Sequence, residues 1–304
     1  MKSNPIIFNS LSQLHKAMGQ SAPNHPLISI LNYGEAAFDP TDYEHGIILN
    51  FYKISFKTSF TGQLKYGQGF YDFEEGGMSF IAPGQLLKMQ AEESDYSGMS
   101  LHIHPDFLRP YSLNSTIKQH GFFSYSAAEA LYLSEKEKTT ILSIYKFIEE
   151  ELSERIDKFS QDVIISQIEL LLNYANRFYD RQFITRKALN NDILSQLETY
   201  LDSYFNNEKA LTDGLPSVSS ASEALNLTPR YLSDLLRHLI GLNTQQFIHE
   251  KVIEKAKEYL AKDVLNIAEI AYNLGFEHPQ SFTKLFKNKT NLTPLKFKEL
   301  IFKN

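Results

Sequence analysis

Two hydrophobic periods follow one another along the chain, and each marks a different kind of structure. Ser10 and Gln13 have capping-box spacing and open a short helix through Leu11, Leu14 and Met18; Gly19, Pro23 and Pro26 end it. From Leu27 to His104 the texture is LISIL, GIILNFYKISF, QLKYGQGFYDF, GMSFIAPGQLLKM and GMSLHIH. Glycine-containing turns separate these runs at intervals of about 8–12 residues, which predicts a small all-β barrel or sandwich. At Ser134 the period lengthens. Ser134 and Glu137 form a second capping box, and Ile141, Ile144, Tyr145, Ile148 and Leu152 recur at three- and four-residue steps. A second such segment runs from about Ser160 to Tyr179 through Ile164, Ile168, Leu171, Leu172 and Ala175. The join, RIDKF, is short, so the two helices are predicted to pack antiparallel as a hairpin. Both stripes cover the barrel, or one is left over for a second copy of the chain. The polar DRQFITRKALNN is the linker candidate, and everything after it reads as helical.

The helical part then repeats itself. Leu232, Leu235, Leu236 and Leu239 make an i, i+3, i+4, i+7 face, and Phe282, Leu285 and Phe286 take the same places 50 residues later. Gly241, Leu242 and Phe247 correspond to Asn291, Leu292 and Phe297 at the same offset. Gly and Asn tolerate the left-handed conformation best, so each helix is predicted to end in the same way. A shorter helix precedes each: Ser222 and Leu225 close the first, Ala271 and Leu274 the second. Thr228-Pro229 and His278-Pro279 read as helix starts with proline at the first helical position. Short helix, tight turn and second helix make a helix-turn-helix, here written twice. Between the copies, TQQFIHEKVIEKAKEYLAK supplies about 17 helical residues, roughly 25 Å of stiff spacer. A spacer of that size suits two protruding helices held about one DNA turn, ~34 Å, apart.

Once the core leucines are set aside, the outward positions of the first reading helix are Arg230, Ser233, Asp234 and Arg237. On the second they are Gln280, Ser281, Lys284 and Lys287. Arg and Lys pair with guanine, Gln with adenine, and Asp accepts from cytosine; lysines later in a helix suit phosphate. A solvated helix face is the plain alternative for any one of them. For the set, the repeated geometry favours DNA.

Composition changes little of this. The 304 residues suggest about two domains. Net charge is −6, but Gly214–Asn304 carries 12 Lys+Arg against 9 Asp+Glu, while residues 1–213 carry 18 against 27. Moving the cut to Ala188 makes the C-terminal part −1, so bulk charge does not decide for DNA and pattern must. The absence of cysteine excludes disulfides, thiolate nucleophiles and Cys-ligated zinc. No run of about 18 uncharged apolar residues occurs, and the first residues lack an apolar signal region. A cytoplasmic protein is expected, with no membrane partner.

At this point IAEIAYNLGFEHPQSFTKLFKNKTNLTPLKF resembles the signature of the AraC/XylS family of bacterial transcription regulators. SASEALNLTPRYLSDLLRHLIG resembles the first helix-turn-helix of that family. The resemblance covers about residues 190–304, with the alanine, the Gly-Phe and Phe-Lys pairs and Thr-Pro in register. Ser222 stands where alanine is usual, Asn291 where glycine is usual, and Asp234 where a basic or amide side chain often sits. The resemblance implies an α+β chain: an N-terminal cupin-like β-barrel with a helical hairpin, and a C-terminal all-α domain with two helix-turn-helix motifs. The expected boundaries are 1–132 for the barrel sensor, 133–182 for a dimerisation hairpin, 183–189 for a linker and 190–304 for the DNA-binding domain. It implies a homodimeric transcription activator that binds double-stranded DNA and RNA polymerase, controlled by a small-molecule effector in the barrel and needing no cofactor.

Other readings compete. His102 and His104, two apart, would share one face of a strand. Cupin metalloenzymes use such a pair with a carboxylate and a third histidine, so a metal-binding enzyme or sensor is the alternative. No glutamate follows at the usual spacing, Pro105-Asp106 ends the strand, and only His45 and His120 lie near the barrel in sequence. A structural pair at a strand end is favoured, with no metal. A methyl-accepting repair protein would need a cysteine. Phe70, Tyr71 and Phe73, with Tyr66, either line an effector pocket or belong to the barrel core, and core is favoured. A pure interaction protein is disfavoured by the doubled, spaced motif.

Overall fold

The computed structural model describes residues 5–35, 45–58, 63–66, 69–72, 76–87, 97–126, 129–154, 157–185 and 187–302. The chain divides into two compact units, Met1–Thr185 and Arg186–Asn304.

In the first unit the strands are β1 (Ile6–Phe8), β2 (Ile28–Asn32), β3 (Ile47–Leu49), β4 (Tyr52–Lys57), β5 (Gln63–Tyr66), β6 (Gly69–Asp72), β7 (Gly77–Ile81), β8 (Leu86–Leu87), β9 (Gly98–Ile103) and β10 (Leu131–Tyr132). They form a five-stranded sheet of order β10-β7-β4-β9-β2, a three-stranded sheet β1-β3-β8 and the hairpin β5-β6. Among the described residues these sheets do not close into the barrel expected from the strand texture. The run GIILNFYKISF shows why: it divides at Asn50–Phe51, sending β3 to one sheet and β4 to the other. Alternation of side chains identifies a strand but does not say which neighbour it pairs with.

Helix α1 (Leu11–Ala17) is capped by Ser10, whose side chain accepts from the Gln13 backbone N–H. It buries Leu11 and Leu14 in a cluster with Phe8, Leu31, Ile47, Leu49 and Phe51. Two short helices, α2 (Pro105–Leu108) and α3 (Leu113–Thr116), follow β9. Then come α4 (Glu135–Ser153) and α5 (Ser160–Thr185), which pack together as the hairpin. Every stripe residue named above for these two helices is buried. Tyr145 lies tilted against Phe56 and donates its hydroxyl to the Ile54 carbonyl at 2.8 Å, fixing α4 to the sheet. Full burial of one such ring contributes roughly 1.5–3 kcal/mol.

The described residues of the linker candidate are helical, 180–185 in α5 and 187–191 in α6, and the first of them are built into this unit. Arg181 donates to both oxygens of the Glu137 carboxylate, at 2.9 and 3.0 Å, and to the Tyr132 carbonyl at 2.6 Å. Gln182 accepts from the Tyr132 N–H and donates to the Ala130 carbonyl, and Phe183 is buried. Polarity alone suggests a linker here because these groups bind other polar groups, which composition does not register.

Among the described residues the second unit's regular elements are all helices: α6 (Lys187–Asn206), α7 (Lys209–Asp213), α8 (Val218–Ala224), α9 (Pro229–Ile240), α10 (Thr244–Lys262), α11 (Ile267–Asn273), α12 (Pro279–Thr290) and α13 (Pro294–Phe302). The spacer α10 has 19 residues, slightly more than the sequence pattern suggests; at 1.5 Å per residue it is about 28 Å long. Lys251 on α10 reaches Glu198 on α6 at 3.1 Å.

Candidate nucleic-acid interface

Helices α9 and α12 begin alike. Pro229 and Pro279 stand in their first turns, where a missing backbone N–H costs nothing. Thr228 caps α9 by accepting from the Tyr231 N–H; His278 caps α12 without a side-chain hydrogen bond. They also end alike. Gly241 (φ 74°) and Asn291 (φ 61°) are left-handed, and each donates its N–H to the carbonyl four residues back, at 3.0 and 2.8 Å. The turns in front repeat too. Asn226 (φ 55°) and Gly275 (φ 90°) are left-handed. Leu227 donates to the Ser222 carbonyl at 2.9 Å and Phe276 to the Ala271 carbonyl at 3.0 Å. The motifs therefore exchange residues: Asn at the turn and Gly at the end in the first, Gly at the turn and Asn at the end in the second. The exchange is not neutral. A Cβ at Gly275 would stand 2.5 Å from the Gly214 carbonyl carbon, whereas one at Gly241 would meet nothing within 4 Å.

Burial on one side sets what faces out on the other. Tyr231, Leu232, Leu235 and Leu236 are buried on α9, and Phe282 and Phe286 on α12. Leu239 and Leu285, members of the same faces by spacing, are half-buried. Gln280, Ser281, Lys284 and Lys287 are all exposed on α12, and among the described residues neither lysine makes an ion pair. On α9, Arg230 and Arg237 are exposed, but both are held. Arg230 Nε donates to Asp234 Oδ2 at 2.9 Å and Arg237 Nη1 to Oδ1 at 2.7 Å. Asp234 is half-buried with both oxygens engaged, which leaves it poorly placed to accept from a cytosine. Ser233 does not face outward. Its hydroxyl lies 3.0 Å from that of the buried Thr244, at the start of the spacer. Helical spacing assigns Ser233 to the outer row; the return of α10 against α9 gives it a partner. The Arg–Asp–Arg spacing of four and three is readable as a charge ladder and is the signal in the sequence for the clamp. Other basic groups are structural: Lys289 pairs with Glu250 at 2.7 Å, Lys255 with Glu258 at 2.9 Å, and Lys298 with Asp263.

This domain matches a known family. Residues 221–299 fit the family described as a helix-turn-helix domain. The C-terminal unit carries a helix-turn-helix domain. Among curated relatives, the chain is 24% identical over 255 residues to YfiF of Bacillus subtilis (strain 168), described as an uncharacterized HTH-type transcriptional regulator; that covers 83% of this chain and 77% of YfiF. It is 27% identical over 138 residues to SAS0078 of Staphylococcus aureus (strain MSSA476), described in the same words, covering 45% of this chain and only 17% of that protein. Among solved structures, the C-terminal domain of the response regulator yesN from Fusobacterium nucleatum is 26% identical and covers 35% of this chain and 98% of its own, with a TM-score of 0.31. The C-terminal domain of AraT from Geobacillus stearothermophilus is 26% identical over 36% of this chain and 84% of its own, with a TM-score of 0.32. The family match at 221–299 sits on the duplicated motif and leaves the first unit to be read from its own residues.

There the histidine pair does not survive. His102 is on β9 and buried, edge-on to Phe51 at 5.6 Å. Burial, then Lys53 and His15, hold its pKa well below the ordinary histidine value, so it is neutral. His104 lies beyond the strand and caps α2, its Nδ1 accepting from the Asp106 N–H at 3.2 Å. His45 is exposed, and His120 pairs with Asn176 at 2.9 Å. Among the described residues no three His, Cys, Asp or Glu side chains are arranged to hold a metal, and no helix is long and apolar enough to cross a membrane. Tyr66, Phe70 and Tyr71 fall on the β5-β6 hairpin, where Lys65 pairs with Phe70 and Leu64 with Tyr71. Phe73 lies outside the described residues.

Proposed function

We propose that this chain is a sequence-specific regulator of transcription that docks α9 and α12 in successive major grooves of double-stranded DNA. The observation that carries the reading is the duplicated geometry: two helices with matching caps, turns and ends, each presenting a polar row. In this reading Gln280, Ser281 and Lys284 contact bases and Lys287 contacts phosphate. Arg230 and Arg237 contact the other groove as a pair aligned by Asp234, and Ser233 positions the helix from behind.

The N-terminal unit senses a small effector, and the protein is a cytoplasmic activator that engages RNA polymerase. Two chains pair through the hairpin. Phe159 just ahead of α5, Val163 and Leu170 on α5, and Phe147 on α4 stay exposed after the predicted stripes are buried, and support that pairing. The domain boundaries we assign are 1–185 for sensing and pairing and 186–304 for DNA.

Selection of bound fragments from random DNA tests this reading. Two half-sites per chain about one helical turn apart should be enriched. Affinity for the selected site should fall with salt at about 0.9 log units per phosphate neutralised for each log unit of salt. No enriched sequence together with a flat salt response would end the reading.

A further inference from the structure

We propose that a cavity of about 460 Å³ in the first unit is a binding site for an uncharged, planar, largely apolar molecule of two or three fused or linked rings. The proposal deepens, and rests on, the reading that this unit senses a small effector.

The cavity exists because a sheet edge is left open. β10 pairs with β7 only at Gly77 and Met78, so among the described residues no strand lies beside 79–81 on that side. The space beside them is bounded by β8, by the 3-10 turn at Gly121–Ser124 and by Tyr179 of α5. Its walls are aromatic. The Phe122 and Tyr179 rings are nearly parallel, 13° apart with centroids at 5.6 Å. Tyr125 stands edge-on to Tyr179 at 5.3 Å, and Phe80 lies 4.3 Å from Phe122. Such faces and edges favour another flat ring.

The lining also fixes the charge and the polar handles of the ligand. Among the described residues no charged side chain lines the cavity. An ion would lose its hydration there and gain no partner, which costs several kcal/mol. The Gln85 amide is committed, accepting from the Ala82 N–H at 2.9 Å and donating to the Phe123 carbonyl at 2.8 Å. Ser79 and Ser126 remain as hydroxyl handles. A mostly apolar wall with a few polar groups, at a volume within the usual ~300–1,000 Å³, is the ordinary constitution of a small-molecule site.

The position of Tyr179 gives such a ligand a route to the rest of the chain. Tyr179 donates to the Glu129 carbonyl at 3.1 Å, and Gln182 and Arg181 bind Ala130 and Tyr132. The stretch 129–132 therefore both lines the cavity, through Ala130, and clamps the last turns of α5. That helix ends at Thr185, and α6 begins at Lys187. A ligand that favours one setting of this clamp biases the segment leading into the DNA-binding unit, by as much as its affinities for the two settings differ.

The test uses the full chain, which has no tryptophan, and N-phenyl-1-naphthylamine as an uncharged, planar fluorescent probe. Its emission should rise and saturate near one probe per chain. Ser126→Phe, at the exposed rim, and Ser79→Leu, in the wall, should each weaken binding about tenfold or more by filling space. Ser126→Phe should leave the melting temperature unchanged. The anionic 2-naphthoate should bind at least about tenfold more weakly than the neutral probe. Absence of saturable binding, or binding indifferent to both substitutions, overturns the site and leaves sensing by the unit to be carried elsewhere. DNA affinity measured with and without the probe is the second arm. A change supports the coupling through Tyr179; bound probe with unchanged DNA affinity keeps the site and overturns its role in sensing.

Discussion

In α9 a single carboxylate holds both arginines of the outward row; in α12 the two lysines of the matching row make no ion pair among the described residues. The backbones around them are near copies, down to the left-handed residues at turn and end. Repeating a fold therefore does not repeat its electrostatics. The row Arg230, Asp234, Arg237 carries a net +1 and is pre-set by short charge-assisted bonds, whereas Lys284 and Lys287 present +2 on flexible stems. In the proposed DNA-binding role, the first helix would offer alignment and the second attraction.

Three experiments put this contrast at risk. The largest effect is expected in the turns. Gly275→Asn keeps a residue that tolerates positive φ but drives its Cβ into the Gly214 backbone, so it should cost about 3 kcal/mol in urea unfolding. Gly241→Asn has open space and should cost less than about 1 kcal/mol. Equal costs would mean that the close approach of Gly214 is not a constraint.

Next comes the outward row. On a selected DNA site, Lys284→Ala should lose about 1–3 kcal/mol of binding. Arg230→Ala should lose less, because its charge is already half-satisfied by Asp234. The reverse order would show that the clamped arginine, not the lysine, reads the base. The smallest effect is expected for Asp234→Asn. Freed arginines should raise affinity for unrelated DNA and steepen the salt slope by roughly one phosphate, while the helix loses about 0.3–0.5 kcal/mol per broken pair. An unchanged slope would leave Asp234 without influence on DNA.

Much of the second unit is legible in the residues alone. Thr228-Pro229, Gly241 and Asn291 mark helix ends by local backbone chemistry, and the leucine and phenylalanine spacings mark the buried faces. The stripes on α4 and α5 are legible for the same reason. Ser233 escapes such a reading because its partner, Thr244, belongs to the next helix. The polar stretch around Arg181 resembles a linker because its partners, Glu137 and Tyr132, lie 44 and 49 residues upstream. The short strands β1 and β10 carry too few residues to show a period, and the histidine pair is separated because the strand stops at Ile103.

Whatever depends on neighbours within about one or two helical turns is written in the sequence: where helices start, which face they bury, where the backbone must turn left-handed, and that the motif is doubled. Whatever depends on residues far apart in the chain appears only in the folded protein. Which sheet each strand joins, which basic groups are held, and where Phe122 and Tyr179 meet to wall a cavity are all of this second kind. The division follows from range. Backbone sterics and helical period act locally and leave a mark in every window, whereas a salt bridge, a sheet edge or an aromatic pair exists only once two distant segments have been brought together.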